Sequence, residues 1–287
     1  LTLKSIKKWS RVRPVPTPIQ LAVATSYRQP EPYGLTLIVS PWNYPLALSI
    51  VPLIGAIAAG NTVVLKPSEL ASATSNIITK IINETFDENH AVSIEGGIDA
   101  ANELLEHRYD YIFFTGGTAI GKIYYESAAK YLTPVTLELG GKSPCIVDSN
   151  VDIREVARRI VFGKFLNCGQ SCTAPDYILV HHSIKNKLIE LMIHHIEKMY
   201  GNFKAEDSEY PLIVNKKHTE RIKALIDKSK VVYGGEVDVD KRYISPTILD
   251  NITIDDNIMK EEIFGPLLPI ITIKNMDDTI KFIQNFE

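Results

Sequence analysis

The sequence predicts an α/β fold built on parallel sheets, and three observations carry that prediction. Short continuous apolar runs ("GLTLIVS", "NTVVLKP", "YIFFTGG") alternate with helical stretches, the pattern of strands covered on both faces by crossover helices. A length of 287 residues suits roughly two domains of ordinary size. Hydrophobic residues make up 45% of the chain and charged residues 23%, the balance of a globular protein rather than a disordered or membrane-embedded one.

The elements follow in order. Residues 1–33 are punctuated by proline ("RVRPVPTPIQ", "RQPEPYG") and read as an arm or connector. From Gly34, "GLTLIVS" reads as a strand and "LALSIVPLIGAIAAG" as a buried helix ending at Gly60. That apolar run falls short of the roughly 20 residues a membrane span needs. "NTVVLKP" is a strand, Leu70–Asn83 a helix, and "AVSIEGG" and "YIFFTGG" are strands flanking a helical stretch around Ala100–His107. Ile120–Tyr131 is helical and "PVTLELGG" begins another strand. A second α/β unit starts near Lys142, with "SPCIVD" and "DYILVHH" as strands and Ile153–Phe165 and Ile184–Tyr200 as helices. The domains expected are 34–140 and 141–287, joined near Gly140-Gly141.

Charge and cysteine usage narrow the function. A net charge of −3 with both signs interspersed gives no electrostatic footprint for nucleic acid. The opening "LTLKSIKKWSRVRP" has no apolar core of the secretory type. Three cysteines make no disulfide framework, so a reducing, cytosol-like compartment is expected. The first residue is Leu1, and Ile280, Ile283 and Phe286 keep helical spacing with no stop signal after them, so segments are expected to be missing at both ends.

Five stretches can carry chemistry. In "YIFFTGGTAIGK" a strand runs through Gly116, Gly117 and Thr118 to Gly121 as a helix opens; N–H groups there suit a phosphate, and the alternative is a turn that only shapes the strand–helix junction. Its spacing is not the dinucleotide fingerprint G-x-G-x-x-G. Lys66 and Glu69 of "VVLKPSE" leave the carboxyl end of a strand, placed either to bond ribose hydroxyls or, for the lysine, to be solvated; Ser68 or Glu69 can cap the next helix. Glu138 of "VTLELGGK" alternates with Leu137 and Leu139, so it faces away from them. Either it is a surface carboxylate or it lies in a cleft, where a desolvated carboxylate serves as a general base. Asn43 of "PWNYP" can donate to a developing oxyanion or form an Asx turn.

The fifth stretch is "KFLNCGQSCTAPD", with Cys168 and Cys172 four residues apart. A metal clip lacks further ligands at suitable spacing, since Cys145 alone completes no set and His181, His182, His194 and His195 read as surface residues. No metal is therefore expected. The polar, glycine-containing "NCGQSC" reads as an accessible loop rather than packed core, which leaves a thiol nucleophile.

Taken together, "PWNYP", "AAGNTVVLKPSE", "FFTGGTAIGK", "TLELGGKSP", "GQSC" and "EEIFGP" resemble, in order and spacing, the NAD(P)-dependent aldehyde dehydrogenase superfamily. The longer strings "LTPVTLELGGKSPCIVD" and "GKFLNCGQSCTAPDYILV" look most like its class 3, the fatty-aldehyde branch, over nearly the whole chain. The resemblance implies an aldehyde dehydrogenase-like fold, with an NAD(P)-binding domain over 34–140 and a catalytic domain over 141–287. It implies Cys172 as nucleophile, Glu138 as general base, and Asn43 with the Cys172 N–H as oxyanion donors. By the same resemblance Lys66 and Glu69 meet the adenosine ribose, the Gly116–Gly121 turn meets the pyrophosphate, and Glu262 holds the nicotinamide ribose with Phe264 beside it. Tyr44 falls at the substrate. One departure is Gly117, where the family's T-G-S turn carries serine.

The activity implied is oxidation of a medium- or long-chain aldehyde to a carboxylic acid, with NAD or NADP as hydride acceptor. The partners implied are the aldehyde and, in the full-length form, a second copy of the chain. The location is cytoplasmic, or membrane-associated where the longer protein has a C-terminal anchor. A coenzyme A-acylating enzyme is the alternative chemistry, against which Glu138 stands. A catalytically silent fragment with a structural or oligomeric role is the alternative outside enzymes.

Overall fold

The computed structural model describes residues 2–201 and 210–284, so Phe286 lies outside the described residues. The chain divides into two compact units, Leu1–Leu139 and Gly140–Glu287.

The first unit opens with helix α1 (Thr2–Trp9) and strands β1 (Arg13–Val15) and β2 (Ser26–Arg28), which pair antiparallel. The stretch read as an arm or connector thus includes a helix and a short ribbon. Pro14 is accommodated because a two-stranded ribbon is all edge, where a missing N–H costs little, and the Thr17 hydroxyl accepts from the Ser26 N–H at 3.0 Å to close the loop. Then come β3 (Leu35–Val39), α2 (Pro45–Ala58), β4 (Thr62–Lys66), α3 (Ser72–Thr85), β5 (Ala91–Ser93), α4 (Ile98–Leu105), β6 (Tyr111–Gly116), α5 (Thr118–Ala129) and β7 (Val135–Leu139). The last five strands, β3 to β7, form one parallel sheet in the order β5-β4-β3-β6-β7.

The chain therefore winds outward from β3 to β5, then returns to lay β6 on the other side of β3. In such sheets ligands bind beyond the carboxyl ends of the strands, at the point where the winding reverses. Leu53, Ile78 and Ile82 of α2 and α3 cover Ile38, Val63 and Leu65 on one face. Leu104, Tyr124 and Ala128 of α4 and α5 cover Leu37, Ile112 and Phe114 on the other.

Helix α2 is not the buried helix that its apolar run predicts. Only Ser49 and Leu53 are buried, while Leu46, Val51 and Ile54 are exposed. A helix packed on one sheet face covers a single stripe, and here the apolar residues encircle the helix. Pro52 inside it has no N–H for the Leu48 carbonyl, and the Ser40 hydroxyl at the end of β3 donates to that carbonyl instead, at 3.2 Å.

The second unit comprises β8 (Pro144–Val147), α6 (Ile153–Phe165), β9 (Tyr177–His181), α7 (Lys185–Tyr200), α8 (Lys216–Lys223), β10 (Val231–Tyr233), β11 (Val237–Asp238), β12 (Tyr243–Ile244), β13 (Thr247–Leu249), β14 (Leu267–Ile273) and α9 (Met276–Gln284). Its sheet runs β10-β13-β14-β9-β8, parallel except that β10 is antiparallel to β13. Ile160 and Val161 of α6 and Leu188 and Met192 of α7 bury Ile178, Val180 and Ile270. Ile222 of α8, with Tyr210 and Tyr243, belongs to the second core with Leu179 and Ile271. Asp152 caps α6 by accepting from the Arg154 and Glu155 N–H groups at 3.2 and 3.3 Å, which fixes its start at Ile153.

Candidate active site

In the first unit, parallel register carries most of the selected residues to one edge. Val39 pairs with Lys66 and with Phe114, and Gly116 pairs with Leu139. The segments holding Asn43, Lys66 to Glu69, Gly116 to Thr118 and Glu138 therefore all sit at the carboxyl ends of β3, β4, β6 and β7. Asn43 is half-buried on the connection into α2, whose N-cap is Tyr44 and whose first residue is Pro45. Glu138 is exposed on β7, an edge strand.

Lys66 is not solvated: its side chain is 5% exposed, and its ammonium donates to the Gly96 carbonyl at 2.8 Å and the Pro67 carbonyl at 3.3 Å. It also pairs with Glu69 at 3.4 Å, whose own side chain is 49% exposed. The three donors of the buried ammonium are thus met within the protein, while the Glu69 carboxylate stays open at the sheet edge. Neither Ser68 nor Glu69 caps α3, whose N-cap is Ala71 without a side-chain bond; Ser68 instead caps the short 3-10 turn Glu69–Ala71 before it, accepting from the Leu70 N–H at 3.3 Å.

The turn after β6 leaves backbone donors open. Gly117 and Thr118 are exposed at the start of α5, where the first N–H groups have no intrahelical partner. Gly117 lies at φ −73° and a Cβ on it would meet nothing within 4 Å. Gly121 has the opposite reason for being glycine: a Cβ there would stand 2.8 Å from Leu139 Cδ2, so it lets α5 close on the sheet.

In the second unit, residues 166–174 hold the two cysteines in different environments. Asn167 (φ 51°), Cys168 (φ 57°) and Gly169 (φ 70°) are three consecutive left-handed residues, two of them not glycine. Such backbone costs of order 1–3 kcal/mol per residue and persists where its surroundings enforce it. It turns Cys168 into the core: the thiol is 0% exposed, 3.6 Å from the Tyr210 hydroxyl, and burial pushes it up to about 12. The expectation that all of "NCGQSC" is an open loop is thus corrected; Cys168, Gly169 and Gln170 are packed.

Cys172 is partly exposed in a turn closed by Ala174 N–H donating to the Ser171 carbonyl at 3.1 Å. Gln170 anchors that turn. Its buried amide donates to the Asn167 and Leu212 carbonyls, both at 3.1 Å, and accepts from the Val214 N–H at 2.9 Å.

Glu262 and Phe264 enter on the segment before β14. Lys142 and Asp176 form a buried ion pair. Lys142 also donates to the Ile258 carbonyl at 2.8 Å and the Glu261 carbonyl at 2.9 Å, while Asp176 accepts from the Ile263 N–H at 2.9 Å. Burial pushes the Glu262 carboxyl above the usual range, opposed by a hydrogen bond from the Gly141 backbone. Phe264 is left-handed at φ 48°. Sequence reasoning assigned no role to Gln170, Lys142, Asp176 or the buried Lys164. Of these only Lys164 left a trace, as a charge at an apolar-stripe position of α6.

Residues 5–286 match the aldehyde dehydrogenase family model. The 4,4'-diaponeurosporen-aldehyde dehydrogenase of Staphylococcus aureus (strain NCTC 8325 / PS 47) is 49% identical over 283 residues, covering 98% of this chain and 62% of that protein. Aldehyde dehydrogenase family 3 member A2 of Pongo abelii is 46% identical, covering 99% and 59%. Among solved structures, the substrate-bound state of Staphylococcus aureus AldH superposes with a TM-score of 0.95 at 48% identity, covering 99% of this chain and 62% of that one. The chain thus spans about three fifths of the length of these relatives.

Proposed function

The chain belongs to the aldehyde dehydrogenase family, and from that premise we propose that it oxidises an aldehyde to a carboxylic acid with Cys172 as nucleophile. The observation that carries this is the contrast within one loop: Cys168 is sealed in the core and held as a thiol, while Cys172 stands in an accessible turn. Only the second can reach a substrate.

The cofactor is NAD or NADP, which supplies the acceptor for the aldehyde's hydride when bound. Lys66 and Glu69 hold its adenosine ribose, the exposed first turn of α5 after Gly116 and Gly117 holds its pyrophosphate, and Glu262 and Phe264 hold the nicotinamide end. On this reading the domain over residues 34–140 binds cofactor and the domain over 141–287 carries the nucleophile.

Cys172 thiolate adds to the aldehyde carbonyl, and the alkoxide formed is stabilised by the Asn43 amide and the Cys172 N–H. One such donor is worth about 3–4 kcal/mol in other enzymes. Loss of the hydride leaves a thioester on Cys172. Glu138 takes a proton from a water, which attacks that thioester and releases the acid and the thiolate. Tyr44, beside Asn43 in sequence, borders the aldehyde, which we take to be aliphatic of medium or long chain, or aromatic. The working form is a homodimer in a cytosol-like compartment; among the described residues no helix is long and apolar enough to cross a membrane.

The test is incubation of the protein with NAD and an aldehyde series, with and without coenzyme A, beside Cys172→Ala and Glu138→Gln. Acid formation without coenzyme A, lost in both variants, supports the reading. Dependence on coenzyme A, or activity that survives Cys172→Ala, contradicts it.

A further inference from the structure

Between the short turn Asn257–Met259 and β14, residues 260–266 belong to no helix or strand, so their backbone groups need partners from elsewhere. Charged side chains supply them. The Lys142 ammonium donates to the Glu261 carbonyl at 2.9 Å, and to that of Ile258, just before the segment, at 2.8 Å. Its ion-pair partner Asp176 accepts from the Ile263 N–H at 2.9 Å. Arg221 of α8 donates to the Ile263 carbonyl at 2.7 Å and to the Glu262 carbonyl at 3.4 Å.

These bonds have a common centre. A peptide group is planar, so the two planes on either side of an α-carbon fix its φ and ψ, and with them the direction of its side chain. Lys142 holds the oxygen of the plane before Glu262, and Asp176 holds the N–H of the plane after it. The ion pair joins the two grips, and Arg221 adds a bond to the oxygen of the second plane. The pair is itself anchored at the entry to the adjacent strands β8 and β9, where the Asp176 N–H donates to the Ser143 carbonyl at 2.8 Å. The Glu262 carboxylate rests against Gly140, two residues before Lys142. The side chains of Lys142 and Asp176 are only 12% and 4% exposed. A buried ion pair is costly, and well-packed apolar residues of similar volume are often at least as stable. Costly local arrangements concentrate at functional positions, and the residue whose geometry this one sets is Glu262.

We propose that Lys142 and Asp176, with Arg221 as a third support, are positioning residues for Glu262, holding its α-carbon so that the carboxylate meets the ribose hydroxyls next to the nicotinamide. This rests on the reading of Glu262 as a cofactor contact. None of the three touches the cofactor on this account, so their loss is felt at the nicotinamide ribose and not at the adenosine end.

The test is calorimetric titration of the purified protein with NAD and with ADP, which carries the adenosine ribose and both phosphates but lacks the second ribose and the nicotinamide. The chains compared are the unaltered protein, Lys142→Met, Asp176→Asn, Arg221→Gln, Glu262→Ala and the double variant Lys142→Met/Glu262→Ala, each checked for folding by thermal melting. Lys142→Met and Asp176→Asn nearly keep the side-chain volume. Arg221→Gln, at a partly exposed position, keeps a folded variant in the set where the buried pair tolerates no change. Lys142→Met, Asp176→Asn and Glu262→Ala are expected to weaken NAD binding about tenfold, and Arg221→Gln about threefold. ADP affinity is expected to stay within about twofold in all of them. The double variant is expected to be no weaker for NAD than Glu262→Ala, since both changes act through one carboxylate. Full NAD affinity in the folded Lys142, Asp176 and Arg221 variants, with Glu262→Ala weakened, overturns the proposal. A parallel loss of ADP affinity, the mark of a structural role alone, overturns it too, as do effects that add in the double variant. Full NAD affinity in Glu262→Ala, or no NAD binding by the unaltered chain, instead overturns the cofactor reading beneath it.

Discussion

The carboxylate of Glu262 occupies the space that a side chain at position 140 would need: a Cβ on Gly140 would stand 2.0 Å from Oε2. The first glycine of "LGG" is therefore a seat for the Glu262 carboxylate, which the proposed function assigns to the cofactor. Gly140→Ala should push Glu262 out of place and weaken NAD binding about tenfold or more, with Cys172 as reactive as before. Calorimetry with NAD and thiol alkylation read the two effects separately, and unchanged NAD affinity would remove the seat from the account.

Gly117 gives the opposite expectation. Its backbone is in an ordinary region and its side-chain space is open. Gly117→Ser should shift stability by no more than about 0.5 kcal/mol and add a hydroxyl donor beside the phosphate turn, tightening NAD binding several-fold. A melting-temperature drop of many degrees would show that the turn needs glycine for its shape.

Gln170, a side chain 3% exposed, connects the cysteine loop to residues 212 and 214 through two hydrogen bonds and closes the loop on Asn167 with a third. Gln170→Met keeps the volume and leaves the Leu212 carbonyl and the Val214 N–H without their partner. A loss of roughly 2–4 kcal/mol in urea unfolding is expected, together with faster alkylation of Cys168 as the left-handed segment loosens. Stability within about 0.5 kcal/mol of the unaltered protein would show that Gln170 does not hold the loop.

The buried Lys164 sets a pH dependence of stability. Its pKa is near 8 in the folded protein and 10.5 in its ordinary state. Between these values the unfolded chain binds more protons, so stability rises with pH there and the gain is complete above about 10.5. The full effect is on the order of 3 kcal/mol. Unfolding free energies at pH 7.5 and pH 10 should show a smaller rise in Lys164→Met than in the unaltered chain. Equal slopes would mean that the lysine is solvated in the folded state.

What the sequence could and could not convey divides along physical lines. Helix α6 was legible to its ends because Asp152 and an apolar stripe are both local signals. The parallel strands of the first unit were legible because strands buried on both faces are continuous apolar runs. Strands of two or three residues such as β11 and β12 carry no such pattern and exist through pairing. The exposed side of α2 was hidden because apolar composition does not say how much of a helix a sheet will cover. In the site, the order of the motifs pointed to Cys172, but the burial of Cys168 depends on left-handed backbone at Asn167 and Cys168, which neither residue type announces. The burial of Lys164 was not legible, since a single charge on an apolar stripe of α6 is as readily placed at its solvated rim.

The most direct test of the account is site-resolved alkylation of the native protein with iodoacetamide at pH 8, read by peptide mass spectrometry. The account predicts that Cys172 is modified, that modification tracks loss of aldehyde oxidation and is slowed by NAD, and that Cys168 stays intact until the protein is unfolded. Modification of Cys168 first, or activity that persists with Cys172 fully alkylated, would contradict it.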